Sequence, residues 1–472
     1  MKKLGDTIKR IASAFLSLIF IFSIFCIVPV VKAEEPVWSE AFVRRLVSEH
    51  PLNEGQVYVG YGKADITPIP YDNNGNTGLG LGGYGRDEYR LGVWGGSNTA
   101  YQHRLYAYCV AVMDDEGNIV LFNTNDFSQP TRYEIIRKKV SEKTGVPEEK
   151  IQVSGNHTHS SVSQSITPPT KTRARTLEYF DYEDKQIIAA CTNAIRDLYP
   201  SDIYVKSVDA VENGQNVSAF VRHYEYSGKK DFNGNTVIGS DNHGFIYWNS
   251  SLQTWIKTST GQAHTTNGDA QIQIARFERE DDNNILLCNF QAHAQTLGGN
   301  SNTNITPDYI ADFRDEIEKA APNYRVAFFQ GAAGNLNARS SLSSETPAIT
   351  NTTGSNISYD FNGVKIVLPN GANITNMSAS YTKNGITLSS EEIKRLAVYL
   401  MAKKLASFVT EDIDTLANYT KINAGSVKTK AYTYSDKYHS PSDDITTKSA
   451  QWISSLIWNS SDTSLKQILI GE

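Results

Sequence analysis

Residues 105–113 form an apolar, β-rich run, and residues 119–124 form a second one. The turn residues Asp114-Asp-Glu-Gly117 stand between them. That pattern predicts a hairpin. Upstream, Val57-Tyr-Val-Gly-Tyr-Gly-Lys-Ala-Asp65 alternates as a strand and ends in a turn at Pro68. Downstream, the spacing over 132–144 predicts an amphipathic helix, stopped by Gly145 with Pro147 just beyond. Residues 151–154 are the next strand. Strand, helix and strand with short connections predict a parallel pair.

The pattern continues in the same way. Ile187, Ile188, Cys191 and Ile195 have helical spacing within a helix expected over 184–198. Strands are expected over 203–211, 271–277, 285–290 and 325–329, with a turn at Asp281-Asp-Asn-Asn284. Helices are expected over 307–320, with Pro307 at a favoured first position, and over 389–409. Residues 212–268 are irregular and rich in Gly, Asn and Ser. Residues 340–390 read as a surface insertion of hairpins. The fold class expected is α/β: a mixed, largely parallel central sheet flanked by helices, with an irregular β-rich insertion.

Composition adds the compartment. The chain has 472 residues, 40% of them hydrophobic and 10% aromatic, enough for a large core. Lys2, Lys3, Lys9 and Arg10 precede an apolar run over 11–31, and Val31-Lys-Ala33 offers a cleavage pattern. Residues 1–33 therefore read as a secretory signal, with a membrane anchor by residues 11–31 as the alternative. Residues 34–55 read as a linker or leading helix, and 411–472 as a polar C-terminal tail. The formal charge of −6 becomes more negative once the basic residues of 1–33 are removed. That argues against nucleic acid as a partner, because phosphate binding needs a basic patch. Cys109, Cys191 and Cys288 are scattered through apolar segments, so they read as buried residues and not as a disulfide framework.

The candidate chemistry lies where strands end. Four expected strands run into polar loops: Asn125-Asp126, His157-Thr-His159, His293, and Gly334-Asn335-Leu-Asn337. In extended backbone His157 and His159 point the same way. Ligand sites of open α/β sheets form at the carboxyl ends of strands. If these strands are parallel neighbours their loops converge, and three histidines and a carboxylate at such a point have the composition of a catalytic zinc site with an open position. Taken singly, each has a plainer reading. His293 fits a core histidine bonded to a backbone carbonyl, and Asp126 fits a turn cap or a group that orients a ligand histidine from behind. Ser160, Ser161 and Ser163 lack a Gly-x-Ser-x-Gly elbow. The Gly-rich run 78–85 lacks a nucleotide-loop pattern, so its glycines read as tight turns or close backbone approach.

Several stretches occur in a fixed order: Val59-Gly-Tyr-Gly-Lys-Ala-Asp65-Ile-Thr, Gly82-Gly-Tyr-Gly85, Leu105-Tyr-Ala107, Ser154-Gly-Asn-His157-Thr-His159-Ser, Asn289-Phe-Gln-Ala-His293 and Gln330-Gly-Ala-Ala-Gly334-Asn335. In this the chain resembles the neutral/alkaline non-lysosomal ceramidase family. The resemblance implies a ceramidase-like catalytic domain over 56–410, a zinc hydrolase with one Zn2+ per chain. Its reaction would split the N-acyl amide bond of ceramide-like lipids to fatty acid and sphingoid base by a metal-activated water. It implies His157 and His293 as metal ligands, His159 as general acid/base, and Arg222 and Asn337 as substrate-binding residues. The partner implied is a small lipid or N-acyl substrate, met at a membrane surface, and no protein partner is expected.

Two departures stand out. The family's Gly-Asp-Val-Ser-Pro is Gly334-Asn335-Leu336-Asn337-Ala338 here, which excludes a serine acyl-enzyme at that position. The family's remaining ligands, a Glu and a Tyr near a Pro-Gly-Glu motif, have no counterpart. The alternatives are a zinc amidase or esterase for another acylated substrate, or a non-catalytic secreted binding protein that retains the fold.

Overall fold

A computed structural model describes residues 36–83, 90–95, 103–128, 131–211, 270–297, 303–331, 333, 348–361, 363–377 and 379–424. Between 212 and 267, and at 336–338, it describes the backbone of short strands alone. The expected signal over 1–33, most of the expected C-terminal tail and the Gly334-Asn335 loop lie outside the described residues. Among the described residues no helix is long and apolar enough to cross a membrane.

The described residues from Val37 onward form one compact unit built on a nine-stranded sheet. Its strands are β1 (Val57–Asp65), β2 (Tyr106–Met113), β3 (Ile119–Asn125), β4 (Ile151–Gly155), β5 (Tyr199–Asp209), β6 (Gln271–Arg279), β7 (Asn284–Phe290), β8 (Tyr324–Gln330) and β9 (Thr420–Ile422). The helices are α1 (Glu40–Glu49), α2 (Tyr133–Thr144), α3 (Arg173–Arg196), α4 (Tyr309–Ala320) and α5 (Ser390–Thr410). The sheet order is β8-β7-β6-β5-β1-β2-β3-β4, with β9 also paired to β5.

The mixed α/β sheet is as expected, but it is not largely parallel. Only β3–β4 and β7–β8 run parallel; every other neighbouring pair is antiparallel. For two of the antiparallel pairs the reason is connection length. Tight turns join β2 to β3 and β6 to β7, and a tight turn obliges antiparallel strands. The two parallel pairs are the ones joined by helical crossovers, α2 for β3–β4 and α4 for β7–β8.

Side chains alternate between faces along each strand. On one half of the sheet Tyr58, Cys109, Ala111 and Met113 face helices α2 and α3, meeting Ile136, Val140, Ile187 and Cys191. On the other half Ile274, Cys288, Phe290 and Phe328 face α4 and α5, meeting Phe313 and Leu396. The opposite faces, carrying Val59, Tyr61, Val110, Phe277, Ile285, Ala327 and Phe329, pack on each other. The sheet is therefore folded over itself, helix–sheet–sheet–helix. Cross-bracing bonds confirm this: Thr124 Oγ1 donates to Phe328 O at 2.9 Å, and Tyr61 Oη to Val326 O at 3.4 Å. The fold-over brings the carboxyl ends of the two parallel pairs to one edge.

The close fit of α3 on β1 depends on Gly60 and Gly62. A Cβ on Gly62 would lie 1.9 Å from Ala190 O, and one on Gly60 would lie 2.1 Å from Ala194 O. Both obstacles are helix backbone, which cannot swing aside. Gly62→Ala is expected to destabilise the protein by about 3 kcal/mol, the upper end of overpacking costs, read as a lower urea midpoint at unchanged slope.

The hairpins expected within 340–390 are present at Ile357–Phe361/Val364–Leu368 and Tyr381–Lys383/Ile386–Leu388. Their apolar residues, Phe361, Ile366, Leu368 and Leu388, join the core under α4 and α5. Cys109, Cys191 and Cys288 are buried free thiols, as read from the sequence.

Candidate metal centre

β4 stops at Gly155, where a Cβ would lie 2.7 Å from the Phe127 ring, and the chain turns sharply. Asn156 N donates to Asn125 O at 3.0 Å. His157 then adopts φ 60, a left-handed conformation that residues with a Cβ seldom take and that clusters at functional sites. An Asx-type bond spans it, from Thr158 N to Asn156 Oδ1 at 3.1 Å. The second loop follows β7. It is tied to the first by His159 N donating to Ala294 O at 3.1 Å and by Thr158 Oγ1 donating to Thr306 O at 2.9 Å.

These ties bring His157, His159 and His293 together. Their ring centroids lie 5.1 Å (157–159), 4.4 Å (157–293) and 4.7 Å (159–293) apart. One nitrogen from each falls within 4.8 Å of the others, and this trio is the metal-capable cluster found among the described residues. His157 Nδ1 is 2.8 Å from Ser128 O, and His293 Nδ1 is 3.1 Å from Ala333 O. A carbonyl only accepts, so both Nδ1 atoms carry the proton and both Nε2 atoms present a lone pair. That carbonyl-held tautomer is how metal-binding histidines are oriented. His159 Nε2 lies 2.8 Å from His293 Nε2. Basic nitrogens this close need a proton or a cation among them. Burial lowers the pKa of His157, partly offset by its bond to Ser128, so its neutral form is favoured. Three buried imidazoles form a donor set that suits zinc.

The cluster is packed closely. Gly83, at φ 98, lies against His159: a Cβ there would meet the imidazole ring at 2.5 Å. This is the close approach anticipated for the Gly-rich run. Arg90 Nη2 donates to His159 O at 2.6 Å, and Arg90 Nη1 donates to Gly82 O at 3.0 Å.

Asp126 is at the expected strand end but is not in the cluster. Its carboxylate accepts two bonds from Arg314, both at 2.9 Å, one from Asn156 Nδ2 at 2.7 Å and one from Tyr106 N at 2.9 Å. The group that orients His157 directly is the Ser128 carbonyl. Arg222 and Asn337 lie on strands that pair antiparallel, Ala219–Glu225 with Leu336–Ala338, and Phe220 is opposite Asn337. The side chains of Arg222 and Asn337 are outside the described residues.

Sequence reasoning missed Ser128, Ala333, Asn156, Arg90 and Arg314. A backbone carbonyl leaves no side-chain signature, so Ser128 and Ala333 had none. Arg314 did have one: it interrupts the apolar face Ile310-Phe313-Ile317 of α4. A polar cleft of about 530 Å3 lies beyond it, lined by Lys63, Tyr106, Arg314, Asp315 and Tyr399 among others.

The fold and the cluster define an α/β protein whose strand ends gather three histidines as a candidate metal centre. No protein-family model matches the chain, and no curated protein matches it. Among solved structures it is similar to the neutral ceramidase from Pseudomonas aeruginosa, with 17% identity, a TM-score of 0.41, and 61% of this chain and 40% of that one covered. It is similar to a ceramidase complexed with C2 at 17% identity and a TM-score of 0.42, with 61% and 39% covered. The chain thus spans about two fifths of the length of these structures.

Proposed function

We propose that the chain is a zinc-dependent hydrolase that cleaves the N-acyl amide bond of ceramide-like lipids. The observation that carries the metal part is the convergence of three imidazoles, two with Nδ1 held by backbone carbonyls, at the carboxyl ends of β4 and β7. The substrate part rests on the ordered motifs that resemble the ceramidase family. Residues 56–410 are proposed as the catalytic region. Export through residues 1–33 would put it where extracellular or membrane-surface lipid is met.

In this reading His157 and His293 hold one Zn2+ through Nε2. Bound there, zinc supplies Lewis acidity for an amide carbonyl and a water of lowered pKa. His159, its Nε2 beside that of His293, delivers a proton to the leaving amine. Arg222 and Asn337, on neighbouring strands, contact substrate. Asp126 keeps the loop in place through Asn156.

A second reading, a zinc amidase or esterase for another acylated substrate, is favoured by two features. Asn337 replaces the family serine, and the cluster among the described residues contains no carboxylate. Turnover of N-acyl sphingoid lipids, N-acyl amino acids and acyl esters by the zinc-loaded protein decides between them. The expected result is fatty-acid release from the sphingoid lipids, reduced about 10²–10⁴-fold in His159→Ala with zinc retained. Turnover of esters or N-acyl amino acids alone would support the second reading, and no turnover of any class by zinc-loaded protein would overturn both.

A further inference from the structure

We propose that Asn156 is the positioning residue of the metal centre, clamped from behind by the buried Asp126–Arg314 pair; the inference rests on the zinc reading above. Asn156 is 1% exposed and uses both ends of its amide. Nδ2 donates to Asp126 Oδ1 at 2.7 Å, and Oδ1 accepts from Thr158 N at 3.1 Å. The amide therefore bridges over His157, the one cluster histidine with left-handed backbone (φ 60). Without that bridge the backbone at 157 can relax towards ordinary extended geometry, which would swing the imidazole away from Ser128 O and from His293.

The clamp behind Asn156 is rigid. Asp126 is 1% exposed and fixed by both Arg314 guanidinium nitrogens and by Tyr106 N. Arg314 is anchored on α4 and lies over the Tyr108 ring at 4.4 Å. The relay thus runs from α4 through Asp126 and Asn156 to the His157 turn. It joins the crossover helix of one parallel pair, β7–β8, to the histidine loop that follows the other. Neither Asp126 nor Asn156 is a member of the metal-capable cluster.

The test is zinc affinity by chelator competition on the full chain, with thermal midpoint measured alongside. Asn156→Ala removes both bonds. Asn156→Asp keeps an acceptor for Thr158 N but sets a carboxylate against Asp126. Asn351→Ala is the control, a buried asparagine with three bonds to backbone carbonyls in the hairpin region. The expected result is a zinc dissociation constant raised about 10- to 100-fold in both Asn156 variants, the range for groups that orient a ligand. Asn351→Ala should lower the thermal midpoint and leave zinc affinity unchanged. Folded Asn156→Ala binding zinc within about twofold of wild type would overturn the inference while leaving the zinc reading intact. Wild-type protein that takes up no zinc would overturn both.

Discussion

His293→Ala is expected to raise the zinc dissociation constant by at least ~100-fold, and His157→Ala by a similar factor. Loss of a group that merely orients a ligand costs about 10- to 100-fold, so loss of a ligand should exceed it. His159→Ala should cost less if its imidazole handles a proton and the other two hold the metal, and as much if all three are ligands. Metal affinity falls when protons compete for ligand nitrogens. Burial lowers the pKa of His157 from its ordinary 6.5, so protons begin to compete at lower pH than for an exposed histidine. The share of zinc affinity lost to protonation of His157 should therefore appear at lower pH than it would for an exposed histidine. Chelator competition across a pH series measures both effects, and a loss of affinity already complete at pH 7 would contradict the burial argument.

Arg314→Met is expected to be the most destabilising single change at the site. Arg314 and Asp126 pair through two bonds at 2.9 Å each, with side chains 4% and 1% exposed. Removing the guanidinium leaves a buried carboxylate with only the Asn156 amide and one backbone N–H. Breaking such a pair from one side costs about 3–5 kcal/mol. Replacing both partners with apolar residues should cost less, because no charge is left stranded. Urea unfolding of the single and double variants measures the difference. A single variant less than about 1 kcal/mol below wild type would mean that water reaches Asp126.

Much of this edge of the fold was legible in the sequence. The hairpin turns at Asp114-Asp-Glu-Gly117 and Asp281-Asp-Asn-Asn284, the β3–α2–β4 crossover and the polar strand ends follow from local pattern. The convergence of His157, His159 and His293 is expected if their strands are parallel neighbours, but β4 and β7 stand far apart in the sheet order, and the fold-over brings their ends together instead. What pattern alone could not supply is pairing between strands far apart in sequence. β5 pairs with β1 and β6, and the sheet folds so that Thr124 reaches Phe328 O. A continuous apolar run such as 285–290 shows that a strand buries both faces but not what each face meets. Local pattern therefore points to a largely parallel sheet, and the long-range pairs of β5 with β1, β6 and β9 make it mostly antiparallel. α3 begins at Arg173, ahead of its expected start at 184, because Thr176, Tyr179, Phe180 and Glu183 bury a mixed aromatic and polar face that does not read as an apolar stripe. At the site, Ser128 and Ala333 act through main-chain oxygens, which no residue type announces.

The central claim is that this cluster holds zinc. Its most direct test is metal analysis of the purified full chain after zinc loading and dialysis, beside the double variant His157→Ala/His293→Ala. One zinc per chain in wild type and none in the double variant is the predicted result. No zinc in folded wild type, or equal zinc in both proteins, would contradict it.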